Sequence, residues 1–193
     1  MHLPTPQVRP QASLPAQHLT HCQQRPPSSP RFYSTAPALT HTDSTGRAKM
    51  VDVSTKRVTA RSATAVGRIL LSPLAFKLVS ENAIAKGDVL TVAQIAGIGA
   101  AKQTGMLIPL CHPLPLSGIK VELSLDKKAR AVDVEATVSC SGQTGVEMEA
   151  LVAVSVACCT VFDMCKAVDK GMRITDVRVV RKSGGQSGDW TAE

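Results

Sequence analysis

One long apolar stretch, residues 145–171 (GVEMEALVAVSVACCTVFDMCKAVDKG), constrains the fold more than any other part of the chain. Thr144 followed by Glu147 has the spacing of a capping box, and Lys170-Gly171 is a typical helix end, so we predict one helix over residues 145–171. A helix that is apolar all round is buried on all sides or lies in a membrane. Its uncharged run, residues 150–162, is shorter than the roughly 20 residues that span a bilayer. We therefore expect a buried core helix.

Four charged side chains interrupt this helix. Glu147 and Glu149 lie at its start, and Asp163 and Lys166 near its end. Asp163 and Lys166 are three residues apart and share one helix face. A surface ion pair, with acids that complement the helix dipole, is the ordinary explanation. A charged side chain on a buried helix costs free energy unless it is paired or has a function. A functional role for these four residues is therefore as good an explanation as the surface ion pair.

Charge and aromatic content argue against nucleic acid as the partner. The net charge is +7, but residues 1–49 carry five Lys or Arg and one acid, whereas residues 50–193 carry 17 basic and 14 acidic groups. Beyond residue 49 the aromatic residues are Phe76, Phe162 and Trp190. A single-strand binding surface normally needs several stacking rings and a basic face.

The cysteines predict neither a disulfide framework nor a metal site. The six cysteines form no C-x-x-C pair, and three of them lie within the apolar helix. His112 is the only histidine past residue 49. Reduced thiols that act as small apolar side chains are the expected state, and we predict no metal and no cofactor.

Residues 1–49 have a composition unlike the rest of the chain. They hold eight of the twelve prolines and one acid, Asp43, so we predict a disordered segment that precedes a folded domain of residues 50–193. Scattered arginines and the sequence Arg31-Phe32-Tyr33-Ser34 are typical of a cleaved mitochondrial presequence. The prolines favour a linker from an upstream domain instead. The first alternative predicts the mitochondrial matrix, the second the cytoplasm.

Periodicity in residues 50–193 predicts an α+β domain. Strict alternation indicates strands over residues 119–125 and 131–139, and residues 57–65 and 174–180 have strand composition. Helices are predicted over residues 66–84, interrupted by Pro73, and over residues 89–102, whose small side chains allow close packing. The order is that of a ferredoxin-like βαββαβ sandwich with an extra helix. One small sheet cannot cover so apolar a long helix, so we expect a homo-oligomer.

Two further segments carry candidate functional groups. Residues 104–118 (TGMLIPLCHPLPLSG) contain three prolines, which should exclude regular structure and fix His112 rigidly; most such histidines are structural. Residues 181–190 join Arg181-Lys182 to a Gly/Ser run. This tail is either a floppy terminus or a flap whose Lys182 and backbone N–H groups close over phosphate.

Taken together, the candidate groups mix cations suited to anionic ligands with carboxylates that can bind donors or move protons. They are Lys86, His112, Glu147, Glu149, Asp163, Lys166 and Lys182. From these residues alone we expect a cofactor-free acid–base site for a small phosphorylated molecule.

Several motifs, in order, resemble one family. They are Met50-Val51-Asp52-Val53-Ser54, Lys86-Gly87-Asp88, Leu107-Ile108-Pro109-Leu110-Cys111-His112-Pro113-Leu114, Thr144-Gly145-Val146-Glu147-Met148-Glu149-Ala150, Asp163-Met164-Cys165-Lys166-Ala167-Val168 and Lys182-Ser183-Gly184-Gly185. Over about residues 50–190 the chain resembles the MoaC family of cyclic pyranopterin monophosphate synthases, lyases of molybdenum cofactor biosynthesis. Residues 1–49 resemble the targeting or linker region of the animal form, which can be joined to an upstream radical enzyme.

The resemblance implies an activity and an assembly. The substrate would be a GTP derivative, 3′,8-cyclo-7,8-dihydro-GTP, and the products the pterin cyclic pyranopterin monophosphate and diphosphate. The family is a ferredoxin-like homohexamer, a trimer of dimers with sites at dimer interfaces, that needs no metal for its chemistry. The rival class is a non-enzymatic ferredoxin-like module that binds RNA or a regulatory ligand.

The resemblance also implies roles for eleven residues. Three would be catalytic: Asp163 as acid–base residue, with Lys166 and Lys86 beside it in the chemistry. The positions implied to bind substrate or line the site are Leu110, Cys111, His112, Glu147, Met148, Glu149, Lys182 and Arg61.

Overall fold

The computed structural model describes residue 42 and residues 45–193. Over these residues the chain forms five strands and four helices: β1 (Thr59–Leu70), α1 (Pro73–Ser80), α2 (Val89–Lys102), α3 (Thr104–Leu107), β2 (Leu116–Asp126), β3 (Ala131–Gly142), α4 (Glu147–Cys165), β4 (Arg173–Ser183) and β5 (Trp190–Thr191). Residues 1–49 fall largely outside the described part, so their predicted disorder and the domain boundary at residue 50 stay predictions.

The strands form one antiparallel sheet in the order β2-β3-β1-β4-β5. β3 lies between β1 and β2 in the sheet. After β1 the chain therefore runs through helices α1, α2 and α3 and re-enters the sheet as β2, on the far side of β3. The connection from β3 to β4 through α4 repeats this arrangement. These are two split β-α-β units, and the predicted α+β ferredoxin-like order is confirmed. The predicted strands at residues 119–125, 131–139 and 174–180 lie within β2, β3 and β4.

The first predicted helix begins too early. Residues 66–70 continue β1, whose pairing with β3 runs on to Leu70 opposite Ala131. The inward side chains of β1 are small or aliphatic, and such a short apolar run has no periodicity that separates strand from helix. The helix begins only at Pro73, after Ser72, whose hydroxyl accepts a hydrogen bond from the backbone N–H of Ala75 at 3.3 Å.

Helix α4 is shorter than predicted at both ends. It begins at Glu147 after Val146, which makes no side-chain cap, so the capping box predicted from Thr144 does not form. It ends at Cys165 rather than Gly171. Beyond it the carboxylate of Asp169 accepts hydrogen bonds from the backbone N–H groups of Ser72 (2.7 Å) and Gly171 (2.8 Å). These bonds hold residues 166–171 as a turn directed to the start of α1.

Small residues allow α4 to approach both the sheet and α2. A Cβ atom on Gly67 of β1 would lie 2.6 Å from Val154 Cγ1, and one on Gly97 of α2 would lie 3.0 Å from the backbone oxygen of Ala153. The close approach predicted for α2, whose bounds match the prediction, is therefore confirmed. By length and composition α4 alone of the described helices could cross a membrane, but 56% of its most apolar window is buried within the fold. Its packing is that of a core helix.

The proline-rich segment is more regular than predicted. Residues 104–107 form the single turn of α3, and β2 already begins at Leu116. The prolines at positions 109, 113 and 115 restrict the irregular backbone to the residues between these elements. The loop that carries His112 thus connects α3 to β2, and it lies beside the start of α4.

The tail, expected to be either a floppy terminus or a flap over phosphate, continues the sheet. β4 extends through Lys182 to Ser183, and β5 returns to pair with it, Lys182 opposite Trp190. Gly184, Gly185 and Gly188 have positive φ values, which glycine adopts at low cost. The carboxylate of Asp189 accepts a hydrogen bond from Gly184 N–H at 3.0 Å. The Gly/Ser run is therefore a tight turn that fixes Lys182.

Candidate active site

A carboxylate between two ammonium groups lies at the C-terminal end of α4. Asp163 Oδ1 is 2.7 Å from Lys166 Nζ, and its Oδ2 is 2.8 Å from Lys86 Nζ. Lys86 Nζ also donates to the backbone oxygen of Asp163 at 2.9 Å. All three side chains are about half exposed. The structure thus brings together the three residues predicted to be catalytic, here called the lysine–carboxylate cluster.

Two elements position this cluster. Asp163 lies in the last turn of α4 and Lys166 is its C-cap, so the helix geometry sets their spacing. Lys86 comes from the turn before α2, where Gly87 has a φ of +98° and Asp88 caps the helix. The hydrogen bonds from Lys166 and Lys86, with their charges, lower the pKa of Asp163 to about 2. The carboxylate is therefore ionised throughout the neutral range.

The opposite end of α4 borders a cavity of about 250 Å³, here called the His112 cavity. Its lining includes six of the eight residues implied to bind substrate or line the site: Leu110, Cys111, His112, Glu147, Met148 and Glu149. The loop between α3 and β2 supplies one wall, the first turn of α4 a second, and residues 51–56 a third. The structure therefore brings the loop and the first turn of α4 to one cavity.

Glu149 is the buried carboxyl group of this cavity. The residue is only 4% exposed. Burial, with a smaller contribution from the charge of Glu147, raises its pKa above the ordinary value. Burial and the nearby charge of Glu149 also raise the pKa of the Cys111 thiol. The cavity therefore combines a carboxyl group and a thiol whose ionisation is opposed by burial.

A second cavity of about 190 Å³, here called the Lys182 cavity, adjoins the first. Lys182 lies in it, with Nζ 3.7 Å from Glu147 Oε1 and 3.0 Å from Ser187 Oγ. The two cavities share Glu147, Thr144, Gly145 and Lys56 in their walls. They are therefore two compartments of one site around the N-terminus of α4.

Arg61 also lines the Lys182 cavity, and two of its N–H donors bind backbone carbonyls. Its Nε donates to the carbonyl of Gly142 at 2.9 Å and its Nη2 to that of Gln143 at 3.0 Å. A Cβ atom on Gly185 would lie 2.3 Å from Arg61 Nη1, so the guanidinium packs directly under the turn after β4. Arg61 thus joins the loop before α4 to that turn.

Lys56 is the functional candidate that sequence reasoning missed. The residue lines both cavities and is half buried. The residue lies just beyond the motif Met50–Ser54 that carried the resemblance, in a segment with no helix or strand. Its proximity to that motif was the only signal in the sequence.

The predicted site residues fall into two groups on one chain. The lysine–carboxylate cluster lies at one end of α4, and the other eight residues surround the two cavities at the opposite end. Glu147 and Asp163 are sixteen residues apart in α4, which corresponds to about 24 Å. A single copy of the chain therefore does not bring all eleven residues to one small molecule.

Away from the two ends of α4, the described residues form no comparable group of candidate catalytic or binding side chains. A groove of about 760 Å³ lies on the sheet face turned away from the helices and is lined by none of the eleven candidates. Arg68 in this groove is paired with Asp133 at 2.7 Å and Asp126 at 3.3 Å. Between residues 45 and 193 no group of three His, Cys, Asp or Glu residues could hold a metal ion, and the five cysteines there are free.

Comparison with known proteins identifies the family. The model of the MoaC family matches residues 50–185. A protein of Parvibaculum lavamentivorans named cyclic pyranopterin monophosphate synthase is 59% identical over 158 residues, 82% of this chain and 99% of its own length. Proteins of the same name from Chloroflexus aggregans and Streptomyces coelicolor are 56% and 59% identical, over 80% and 79% of this chain and 94% and 89% of their own. The chain belongs to the MoaC family.

Proposed function

We propose that this protein is a cyclic pyranopterin monophosphate synthase, an enzyme of molybdenum cofactor biosynthesis. It converts 3′,8-cyclo-7,8-dihydro-GTP to cyclic pyranopterin monophosphate and releases diphosphate. The observation that carries this proposal is the 59% identity with a relative of that name over 99% of the relative's length. The two groups of site residues support it, because they offer the proton donors, acceptors and phosphate-binding cations that such a conversion needs.

The lysine–carboxylate cluster supplies the proton transfers. With its pKa near 2, the Asp163 carboxylate is a weak proton acceptor while both ammonium groups contact it. The N–H groups of Lys86 and Lys166 are then the proton donors, and Asp163 holds them in place. A substrate that draws one lysine toward its own oxygens removes one of those contacts and raises the pKa of Asp163. The carboxylate thereby becomes a stronger base at the moment of binding.

The two cavities bind the substrate. Lys182, Arg61 and Lys56 place cationic groups around the Lys182 cavity, which suits the phosphates and the departing diphosphate. The His112 cavity presents Glu149 and His112, side chains that hydrogen-bond the polar edge of a pterin or guanine ring. Shared walls let one molecule occupy both compartments.

We propose further that the complete site is formed by two copies of the chain. About 24 Å separates the two ends of α4, so the lysine–carboxylate cluster of one copy would complete the cavities of another. Exposed apolar side chains on the helical side, among them Ile95 and Met106, are available for contact between copies. The MoaC resemblance implies a homohexamer built as a trimer of dimers.

The rival class, a non-enzymatic ferredoxin-like module, has less support. Such a module presents aromatic side chains on the open face of its sheet, and strands β1 to β4 contain none. The open face carries ion pairs instead. The eleven candidate site residues lie around the two ends of α4.

The cellular location is a separate proposal. The scarcity of acids in residues 1–42 and the sequence Arg31-Phe32-Tyr33-Ser34 support import into the mitochondrial matrix and cleavage near residue 34. If residues 1–49 are instead a linker to an upstream radical enzyme, the cytoplasm is the alternative. N-terminal sequencing of the protein isolated from its cells distinguishes the two.

The direct test of the proposed function is incubation with the cyclised GTP derivative. We expect release of one diphosphate per pterin product, with no added metal or cofactor. Asp163→Asn should reduce turnover by at least roughly a thousandfold while the protein stays folded and binds substrate, because the amide cannot accept the proton. Turnover by the variant at the wild-type rate would contradict this role, and loss of folding would indicate a structural ion pair.

A further inference from the structure

The segment before β1 forms a wall of both cavities without belonging to a helix or strand. Val51 and Val53 line the His112 cavity, and Lys56 lines both cavities. Within the segment, Lys56 N–H donates to the carbonyl of Val53 at 2.9 Å, and Ser54 N–H donates to the Asp52 carboxylate at 2.9 Å. These local bonds shape the turn but do not fix it against the rest of the site.

The side chain of Gln143 attaches this segment to the site. Its Nε2 donates to the carbonyl oxygens of Ser54 at 3.2 Å and Lys56 at 3.1 Å. Both amide N–H bonds are therefore used on one turn of backbone, and one of them holds the backbone of Lys56, a residue that lines both cavities. A primary amide has two N–H donors and can bridge two carbonyls in this way.

Gln143 is itself held in place. Its backbone oxygen accepts a hydrogen bond from Arg61 Nη2 at 3.0 Å, and Arg61 Nε binds the preceding carbonyl, that of Gly142, at 2.9 Å. Gly142 is the last residue of β3 and lies opposite Thr59 of β1. Contacts thus run from the sheet through Arg61 and Gln143 to the backbone of Lys56.

We infer that Gln143 is a positioning residue for phosphate binding that acts through Lys56. This inference rests on the proposed function and deepens it, since it adds Lys56 as a phosphate-binding cation and names the group that places it. A lysine side chain has many rotamers, so a fixed backbone reduces the entropy that is lost when its ammonium group binds phosphate. The ligand class is the polyphosphate of the substrate and the diphosphate product.

The test is a double-mutant cycle on Gln143 and Lys56, with inorganic diphosphate as the probe. Gln143→Met keeps the length of the side chain and removes both donors, and Lys56→Met removes the cation. Each single variant should weaken diphosphate binding, measured by titration calorimetry, by roughly tenfold. The double variant should bind no more weakly than Lys56→Met alone, because residues that act through one another are not additive.

Gln94 offers a matched control. Its Nε2 also donates to a backbone carbonyl, that of Val121 at 2.7 Å, but it joins α2 to β2 away from the cavities. Gln94→Met should lower the midpoint of thermal unfolding without changing diphosphate affinity or KM. Gln143→Met should raise KM roughly tenfold with kcat changed by less than about twofold.

Two results would overturn the inference. One is Gln143→Met behaving like Gln94→Met, with lower thermal stability and unchanged diphosphate affinity. The other is a double variant whose affinity loss is the product of the two single losses, which would mean that the residues act independently. If Gln143→Met fails to fold, Gln143→Asn replaces it in the same cycle. A wild-type protein that leaves the cyclised GTP derivative unchanged would instead refute the proposed function and, with it, the inference.

Discussion

At the scale of single residues, Asp163 shows how the fold sets the chemistry of a side chain. The carboxylate is more than half exposed, yet Lys166 and Lys86 approach its two oxygens from opposite sides. Hydrogen bonds to the charged form, rather than burial, lower its pKa to about 2. An exposed carboxylate of this kind remains accessible to substrate while its protonation state is fixed.

Removing either lysine should therefore raise the pKa of Asp163. Lys166→Met should have the larger effect, because its hydrogen bond contributes most, and Lys86→Met the smaller. Because the folded-state pKa lies below the ordinary 3.8, the stabilisation from the cluster is fully present above pH 4 and is lost as the pH falls toward 2. Carbon-detected NMR titration of the Asp163 carboxyl checks this. A midpoint that does not change in either variant would contradict it.

Glu149 illustrates the opposite case, a carboxyl whose burial raises its pKa. Ionisation of such a group opposes folding, so wild-type stability should decline as the pH rises above the ordinary pKa of 4.5. Glu149→Gln removes this ionisation. We expect its unfolding midpoint to exceed that of the wild type by more at pH 8 than at pH 5, while kcat/KM falls by at least roughly tenfold. An unfolding midpoint that depends on pH equally in the two proteins would show that burial does not raise the pKa of Glu149.

At this scale the sequence motifs point to most of the residues that line the cavities, but not to all of them. Glu147, Met148 and Glu149 were found because they form part of a recognisable motif at a helix start. Lys56 was missed because no local pattern marks it. Its position depends on Gln143, which is 87 residues away along the chain. Contacts of that range are set by the tertiary fold and are not visible in a single sequence.

At the scale of secondary-structure elements, the packing of α2 on α4 depends on which glycine lies in the contact. A Cβ atom on Gly97 would lie 3.0 Å from Ala153 O and 3.3 Å from Val121 Cγ1, whereas one on Gly99 would meet nothing within 4 Å. Both substitutions to alanine gain the same helix propensity, about 1 kcal/mol. The difference between them therefore reports packing alone.

We predict that Gly99→Ala stabilises the fold by about 0.5–1 kcal/mol. Gly97→Ala should be destabilising overall, because insertion into a packed contact costs about 1–3 kcal/mol. Urea unfolding of the two variants measures the difference directly. Equal stabilities would show that α2 does not pack against α4 as closely as described.

The elements were predicted well where periodicity was unambiguous and poorly where it was not. Alternation located β2 and β3, since each has one face toward the helices and one toward solvent. Residues 66–70 were assigned to a helix, because their strand state is decided by pairing with β3 more than 60 residues later. Thr144 and Glu147 have the spacing of a capping box, but Thr144 is not the N-cap, since α4 begins at Glu147, three residues after Thr144.

At the scale of the whole molecule, α4 separates the two halves of the site. Its Glu147 end borders the cavities and its Asp163 end carries the lysine–carboxylate cluster, about 24 Å away. A twofold arrangement of two chains would bring the cluster of each to the cavities of the other and create two equivalent sites. The apolar surface that remains on the helical side is consistent with such a contact.

The most direct measurement of this central claim is complementation between two impaired variants. Asp163→Asn damages one end of α4 and Glu149→Gln the other. When the two are co-expressed in equal amounts, random assortment leaves about a quarter of the shared sites with both wild-type halves. We predict recovery of about that fraction of the wild-type rate above the variants' own backgrounds. Asp163→Asn co-expressed with Lys166→Met, both at the same end, should show no recovery. Absence of recovery in the first pair as well would show that each site lies within a single chain.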